Sequence, residues 1–294
     1  MKRVIIYGKN IKEPHLKYLD ILLKSLHSHG IEVFFYADFM QFLKKNYGFS
    51  GDYELIHSHS QLAQYKIDML LSFGGDGTIL DSTVLVKDSG IPVLGINLGR
   101  LGFLAIVEKN SIKEAVDNIT GGNYTIEKRS LLQLNSEPVL FEGENFALND
   151  FTIHKSDSPS VIAVHTYLDG RYLSTYWVDG LIISTPTGST GYSLSCGGPI
   201  VFPGSGNIII TPVAPHNLTM RSLVVPDTAV LDFEIESRSG RFLCTLDARY
   251  VTIDTSYKLS VRKAPFKINL VVLEGYDFIK NLQNKLNWGN DKRN

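Results

Sequence analysis

Gly74-Gly75-Asp76-Gly77-Thr78 sets one carboxylate among glycines, directly after the apolar run 67–73 and before a helical run that begins at Ile79. A glycine turn from strand into helix gathers backbone N–H groups at the helix start, where they bind phosphate. A carboxylate in such a place repels phosphate unless it holds a metal, takes a proton or accepts a substrate hydroxyl. These residue types point to phosphate chemistry, with Gly74, Gly75, Gly77 and Thr78 as the binding turn. Asp76 is then the reactive or metal-facing group. The plain alternative is a helix start in which Asp76 is only a cap.

Other stretches carry related signals. Asn97-Leu98-Gly99-Arg100-Leu101-Gly102-Phe103-Leu104 follows the next apolar run, at the strand end where open α/β sheets hold ligands, and Arg100 reads equally as a phosphate contact there or as a surface arginine. Residues 185–195, Thr-Pro-Thr-Gly-Ser-Thr-Gly-Tyr-Ser-Leu-Ser, are the densest polar run and continue into Cys196-Gly197-Gly198-Pro199. So much turn chemistry between two apolar runs favours a ligand loop, its hydroxyls offered as donors. Asn149-Asp150 interrupts a β-rich run, and by alternation alone the two point outward. Asp179-Gly180 precedes another such run. Asp247 and Arg249 read as an exposed pair at a strand end, and His216 as a structural histidine. His57 and His59 lack a carboxylate at metal-site spacing, so no metal ligand set is assigned. GxSxG and Walker A patterns do not occur.

The elements that must position these residues fall into two regimes. Over the first hundred residues, strands at 3–7, 31–36, 69–73 and 91–96 alternate with helices. Leu16, Leu19, Leu22, Leu23 and Leu26 recur at helical spacing before Gly30. Shorter helices are expected at 40–45, 62–65 and 79–86. This rhythm predicts a parallel, Rossmann-like sheet with helices on both faces. After about residue 128 short β-rich runs take over: 131–134, 146–154, 161–168, 172–178, 181–184, 208–213, 230–236, 242–246, 251–253, 258–261 and 268–272. Asp169-Gly170 marks a type I′ hairpin. The expected fold class is an α/β N-terminal domain plus an all-β C-terminal domain of sandwiched or stacked sheets. Helical spacing returns at 276–286, so the expected division is 1–128 with 266–294, and 129–265.

The chain has 294 residues, 44% hydrophobic and 20% charged, which suits a packed globular protein. A formal net charge of −1 gives no global case for nucleic acid. Lys2-Arg3 and Asp291-Lys292-Arg293 read as solvated tails. Two distant cysteines, Cys196 and Cys244, argue against a disulfide framework and for the cytoplasm. No leader or membrane span is expected.

Together, the stretches at 74–78, 95–104, 149–150, 179–180 and 185–200 resemble the NAD kinase family over most of the chain. The glycine turn alone is shared with diacylglycerol-type lipid kinases and, in similar form, with phosphofructokinases; the run 185–200 is the specific part. The resemblance implies ATP-dependent phosphorylation of NAD at the adenosine 2′-hydroxyl, a divalent metal such as Mg²⁺, and a homodimer or homotetramer. By position, Asp76 matches the family's proton acceptor, and Gly74, Gly75 and Gly77 its phosphate turn. Asp76, Gly77, Asn149, Asp150, Asp179 and the run Thr190, Gly191, Tyr192, Ser193, Leu194 and Ser195 match positions that hold NAD. Arg100, Asp247 and Arg249 are weaker candidates. Asp150 stands where many members have glutamate, and Gly191 where alanine is common. Asp247-Ala248-Arg249 departs at its second and third residues. The alternatives are a lipid kinase with the same turn and a non-catalytic dinucleotide sensor. Asp76 remains open here as base, metal contact or both.

Overall fold

The computed structural model describes residues 1–156 and 160–287. Asp291-Lys292-Arg293 lies outside the described residues. The chain divides into two compact units, Met1–Lys128 with Ile268–Asn294, and Arg129–Lys267.

In the first unit, parallel strands run in the order Val93–Asn97, Met69–Gly74, Arg3–Gly8, Glu32–Tyr36, Glu54–Ile56. The middle strands read as continuous apolar runs because helices cover both faces, and Val4, Ile5, Ile6, Leu70 and Leu71 have no exposed surface. Helix Leu16–Ser28 buries Leu19, Leu22, Leu23 and Leu26, one stripe at helical spacing, and Gly30 at φ 67° follows its end. The short helix expected at 40–45 is longer, Ala37–Tyr47. Helix Ile112–Gly121 was not anticipated, although Ile112, Ala115, Val116 and Ile119 give it a clear buried stripe. Lys2-Arg3 is not a free tail. Both backbone N–H groups donate to Asp68 Oδ2, at 2.6 and 3.0 Å, and Arg3 opens a sheet strand with its Nε 2.8 Å from Glu32. Gly74 pairs with Asn97, so the loops after two neighbouring parallel strands leave the sheet side by side.

The second unit is antiparallel. One sheet has the order Leu223–Pro226, Asn207–Val213, Gly180–Ser184, Asp150–Lys155, Arg241–Leu246, Arg249–Asp254. A second set pairs Arg171–Val178, Ile162–Leu168, Leu231–Glu236 and the start of Lys258–Leu273. Phe151 from the first and Phe233 from the second meet with ring centroids 6.1 Å apart in one core that also holds Leu181, Ile183, Ile210 and Phe242. Asp169 and Gly170 both have positive φ, 50° and 73°, between the paired Leu168 and Arg171, which is the type I′ hairpin. Two expectations change. The runs 258–261 and 268–272 are one strand, Lys258–Leu273, and the run 146–154 breaks into Phe146–Ala147 and Asp150–Lys155. Strand Leu223–Pro226 was not anticipated. No helix among the described residues is long and apolar enough to cross a membrane.

Candidate active site

Strand Met69–Gly74 delivers Gly74 next to Asn97, and Leu98 N–H donates to Gly74 O at 2.8 Å. Helix Asp76–Val86 starts earlier than its apolar spacing suggested, with Asp76 in its first turn. Gly74 is required by packing, because a Cβ there would lie 2.1 Å from Thr78 Oγ1. Gly75 and Gly77 are different: a Cβ at either meets nothing within 4 Å, and neither has a positive φ. Neither backbone nor packing asks for glycine at these two positions, whereas a ligand approaching the N–H groups does.

The Asp76 carboxylate is held by the neighbouring loop. Oδ2 accepts from Phe103 N–H at 2.7 Å, and Oδ1 accepts from Leu104 and Ala105 N–H at 3.1 and 2.8 Å. Gly102 makes this approach possible, since a Cβ there would sit 1.7 Å from Asp76 Oδ1. A carboxylate has about four acceptor positions, so about one stays open on Asp76. A cavity of about 500 Å³ opens over this turn, lined also by Lys12, His15, Arg100 and Lys285. Lys12, Arg100 and Lys285 are exposed, and Lys285 Nζ donates to Leu101 O at 2.7 Å. Burial, then Lys109 and Lys12, depress the His15 pKa, and its Nδ1 is buried with no partner. A helix start and three cations give this cavity groups that attract an anion.

In the second unit a different aspartate organises the backbone. Asp247, at φ 51°, follows strand Arg241–Leu246. Its Oδ2 accepts from Leu148 N–H at 2.8 Å, and its Oδ1 from Asn149 and Asp150 N–H at 2.8 and 3.2 Å. Arg249 donates to the carbonyls of Glu144 and Phe146. Asp247 and Arg249 are therefore a brace on residues 144–150 rather than an exposed pair. The outward reading of Asn149-Asp150 also fails. Asp150 is only 7% exposed, and burial together with Asp247 pushes its carboxyl up to about 7. Burial raises the Asp247 carboxyl too, against its three N–H partners and Arg249. Asn149 Oδ1 is buried without a partner, a place that a ligand N–H would satisfy.

The run 185–195 folds as turns, a 3-10 segment Gly188–Thr190 and a short helix Tyr192–Ser195. Most of its hydroxyls serve the loop itself. Thr185 Oγ1 donates to Leu148 O at 2.6 Å and accepts from Gly188 N–H at 3.1 Å. Ser189 Oγ donates to Pro186 O at 2.7 Å and accepts from Val201 N–H at 3.0 Å. Thr190 Oγ1 donates to Thr187 O at 3.3 Å, and Ser193 Oγ meets Thr211 Oγ1 at 2.8 Å. The expected array of free donors is mostly internal scaffolding. Gly188 seats the loop against residue 149, since a Cβ there would lie 2.2 Å from Asn149 O. A Cβ on Gly191 would come 3.4 Å from Asn149 Nδ2, which puts these two expected site residues together. Tyr192 is 42% exposed and stacks on His154, with its hydroxyl 3.1 Å from Nε2. Leu194 is partly exposed and Ser195 exposed. Asp179 is already paired with Lys155 Nζ at 2.7 Å.

Lys12, His15, Gly102 and Lys285 were not singled out in the sequence. Gly102 stood inside the quoted 97–104 stretch, but the others come from segments with no motif. His59 packs against Leu85 O and Asp88, at 2.9 and 3.3 Å. No group of three His, Cys, Asp or Glu that could hold a metal occurs among the described residues.

Known proteins match this chain throughout. Residues 4–124 match the ATP-NAD kinase N-terminal domain, and residues 148–273 the ATP-NAD kinase C-terminal domain. A protein named NAD kinase from Cytophaga hutchinsonii is 45% identical over 290 residues, covering 98% of this chain and 99% of that relative. A second, from Flavobacterium johnsoniae, is 44% identical over 297 residues, covering 99% of this chain and all of that relative (100%). Among solved structures, yeast NADH kinase complexed with NADH superposes with a TM-score of 0.85 at 24% identity, covering 99% of this chain and 89% of that one. An NAD kinase from Archaeoglobus fulgidus in complex with ATP gives 0.72 at 24% identity, covering 98% and 99%. At that identity the two structures speak for the fold.

Proposed function

The chain belongs to the NAD kinase family, and from that premise we propose that it transfers the terminal phosphoryl group of ATP to the 2′-hydroxyl of the adenosine ribose of NAD, giving NADP and ADP. The observation that carries this reading in the chain's own residues is Asp76, a carboxylate with about one acceptor position open inside a cavity otherwise built for anions. That position accepts the ribose hydroxyl, orients it and takes its proton. An ordinary aspartate is a weak base, but phosphoryl transfer runs through a loose transition state in which the hydroxyl acidifies late. Catalysis then rests on positioning and charge. Gly75 and Gly77 put no side chain between the turn and incoming phosphate oxygens, and Lys12, Arg100 and Lys285 oppose the donor's charge.

A divalent cation of the Mg²⁺ class fits this cavity, because such ions take one or two carboxylates and fill the remaining positions with phosphate oxygens and water. With Asp76 the one carboxylate lining it among the described residues, phosphate oxygens and water would hold most of the ion, which would supply neutralisation of phosphate charge and leave the open Asp76 position to the ribose hydroxyl. In the second unit, Asn149, Asp150, Gly191 and Tyr192 match the family positions that hold NAD; Asn149 Oδ1, buried without a partner, would receive a ligand N–H, and Gly191 lies beside it. The family also carries the expectation of a homodimer or homotetramer, which sedimentation of the purified chain would measure. The free thiols Cys196 and Cys244 suit a cytoplasmic location.

The test is NADP formation by purified protein given NAD, ATP and Mg²⁺, read with an NADP-specific dehydrogenase. NADP accumulating in proportion to enzyme is the expected result. Binding of NAD without turnover would make the chain a sensor, and phosphorylation of diacylglycerol vesicles in place of NAD would make it a lipid kinase.

A further inference from the structure

The loop that holds Asp76 is itself held from its other side. Helix Phe278–Leu286 begins at Asp277, whose side chain accepts from Ile279 and Lys280 N–H at 2.8 and 3.4 Å. This cap fixes the helix start. One turn on, Asn281 is 4% exposed, and its Nδ2 donates to Gly102 O at 3.0 Å and to the Tyr276 hydroxyl at 3.2 Å. A turn further, Lys285 Nζ donates to Leu101 O at 2.7 Å and lies 4.7 Å over the Phe103 ring, which also meets Phe278 at 6.3 Å. Two neighbouring carbonyls, of Leu101 and Gly102, thus take side-chain donors from one helix. The next three residues turn their N–H groups onto Asp76.

Gly102 is the pivot: its carbonyl faces Asn281, while its Cα hydrogens face Asp76 Oδ1, which a Cβ would meet at 1.7 Å. We infer that Asn281 is a positioning residue for Asp76, acting through the Gly102–Ala105 backbone. The choice of residue supports this. Asn281 Oδ1 is buried without a partner, a cost that the amide carries while its Nδ2 serves the Gly102 carbonyl and the Tyr276 hydroxyl. What the amide adds is the bond to the Gly102 carbonyl. A small shift of that carbonyl swings the three N–H groups that aim the carboxylate, and misplacing a reacting group by about 1 Å can cost about 100-fold in rate.

This inference rests on Asp76 acting on the substrate hydroxyl, but its first readout does not need the reaction. Amide hydrogen exchange on Asn281→Leu should show Phe103, Leu104 and Ala105 exchanging about tenfold faster or more, with the central strands Arg3–Gly8 and Met69–Gly74 unchanged. Unchanged exchange at 103–105 would overturn the inference whatever the protein catalyses. The second readout is kinetic. Asn281→Leu should lower kcat per folded molecule about tenfold or more and leave KM for NAD within about twofold, with a lower urea midpoint because the Gly102 carbonyl loses its donor. A merely structural residue would lower the midpoint and leave kcat per folded molecule intact, and that result would also overturn the inference. In single-turnover NADP formation, Asn281→Leu should cost little once Asp76 is already asparagine; full additivity of the two changes would contradict action through Asp76. Should Asn281→Leu fail to fold, Lys285→Met removes the bond to Leu101 from an exposed side chain and is read by the same exchange at 103–105.

Discussion

Asp76 in the first unit and Asp247 in the second each accept from the backbone N–H groups of three consecutive residues, 103–105 for one and 148–150 for the other. The bonding pattern is nearly the same; the surroundings are not. Asp76 lines an open cavity together with Lys12, Arg100 and Lys285, so the proposed function can use its remaining acceptor position for a substrate. Asp247 sits beside a second, buried carboxyl, Asp150, and near Arg249, so its charge acts on protein rather than on ligand. The comparison separates two uses of one device. A carboxylate clamped by N–H groups is a chemical group where the cavity supplies counter-charge, and a brace where the neighbours are backbone and another acid.

Changes at the two aspartates test that separation, from the largest effect downward. Asp76→Asn keeps the size of the side chain but gives up its basicity. It should lower kcat by about 10²–10³-fold, with NAD affinity nearly unchanged by calorimetry; turnover within tenfold of normal would remove Asp76 from the chemistry. Gly102→Ala leaves the charge in place and drives the carboxylate from its seat, since the new Cβ would lie 1.7 Å from Oδ1. A loss of about 100-fold in kcat is expected, and normal kcat would show that the seat is irrelevant. Asp247→Asn should act on stability and recognition instead. Losing charge-assisted bonds to 148–150 should cost about 2–3 kcal/mol in urea unfolding and raise KM for NAD more than it lowers kcat. An effect confined to kcat would make the two aspartates alike.

The smallest effect is a pH dependence. Asp150 has its raised pKa only when folded, so the stability that it contributes is complete below about pH 4 and is lost as pH rises through about 7. Asp150→Asn, which resembles the protonated acid, should flatten the decline in urea midpoint over that window. The same slope in the variant would assign the titration to another group.

How far the sequence could be read depends on where each residue's partners lie. The 74–78 turn was legible because strand, glycines and helix are contiguous, and the type I′ hairpin at Asp169-Gly170 for the same reason. Helix Ile112–Gly121 had a readable stripe that the motif-rich loop before it overshadowed. Asn149 and Asp150 were misplaced because the group that turns their backbone, Asp247, is nearly a hundred residues away, so alternation was the only local guide. Residues 185–195 stood out by composition, but a hydroxyl that donates to its own loop and one that donates to a ligand look alike in a sequence. Lys12, His15 and Lys285 reach the cavity only through the packing of segments without motifs.

The central claim is the division of labour between the two aspartates, and single-turnover NADP formation at saturating NAD, with Asp76→Asn and Asp247→Asn measured beside the unaltered chain, tests it most directly. The account predicts a rate reduced about 10²–10³-fold in Asp76→Asn and within about tenfold of normal in Asp247→Asn once NAD saturates. Equal losses in the two variants, or the larger loss in Asp247→Asn, would contradict it.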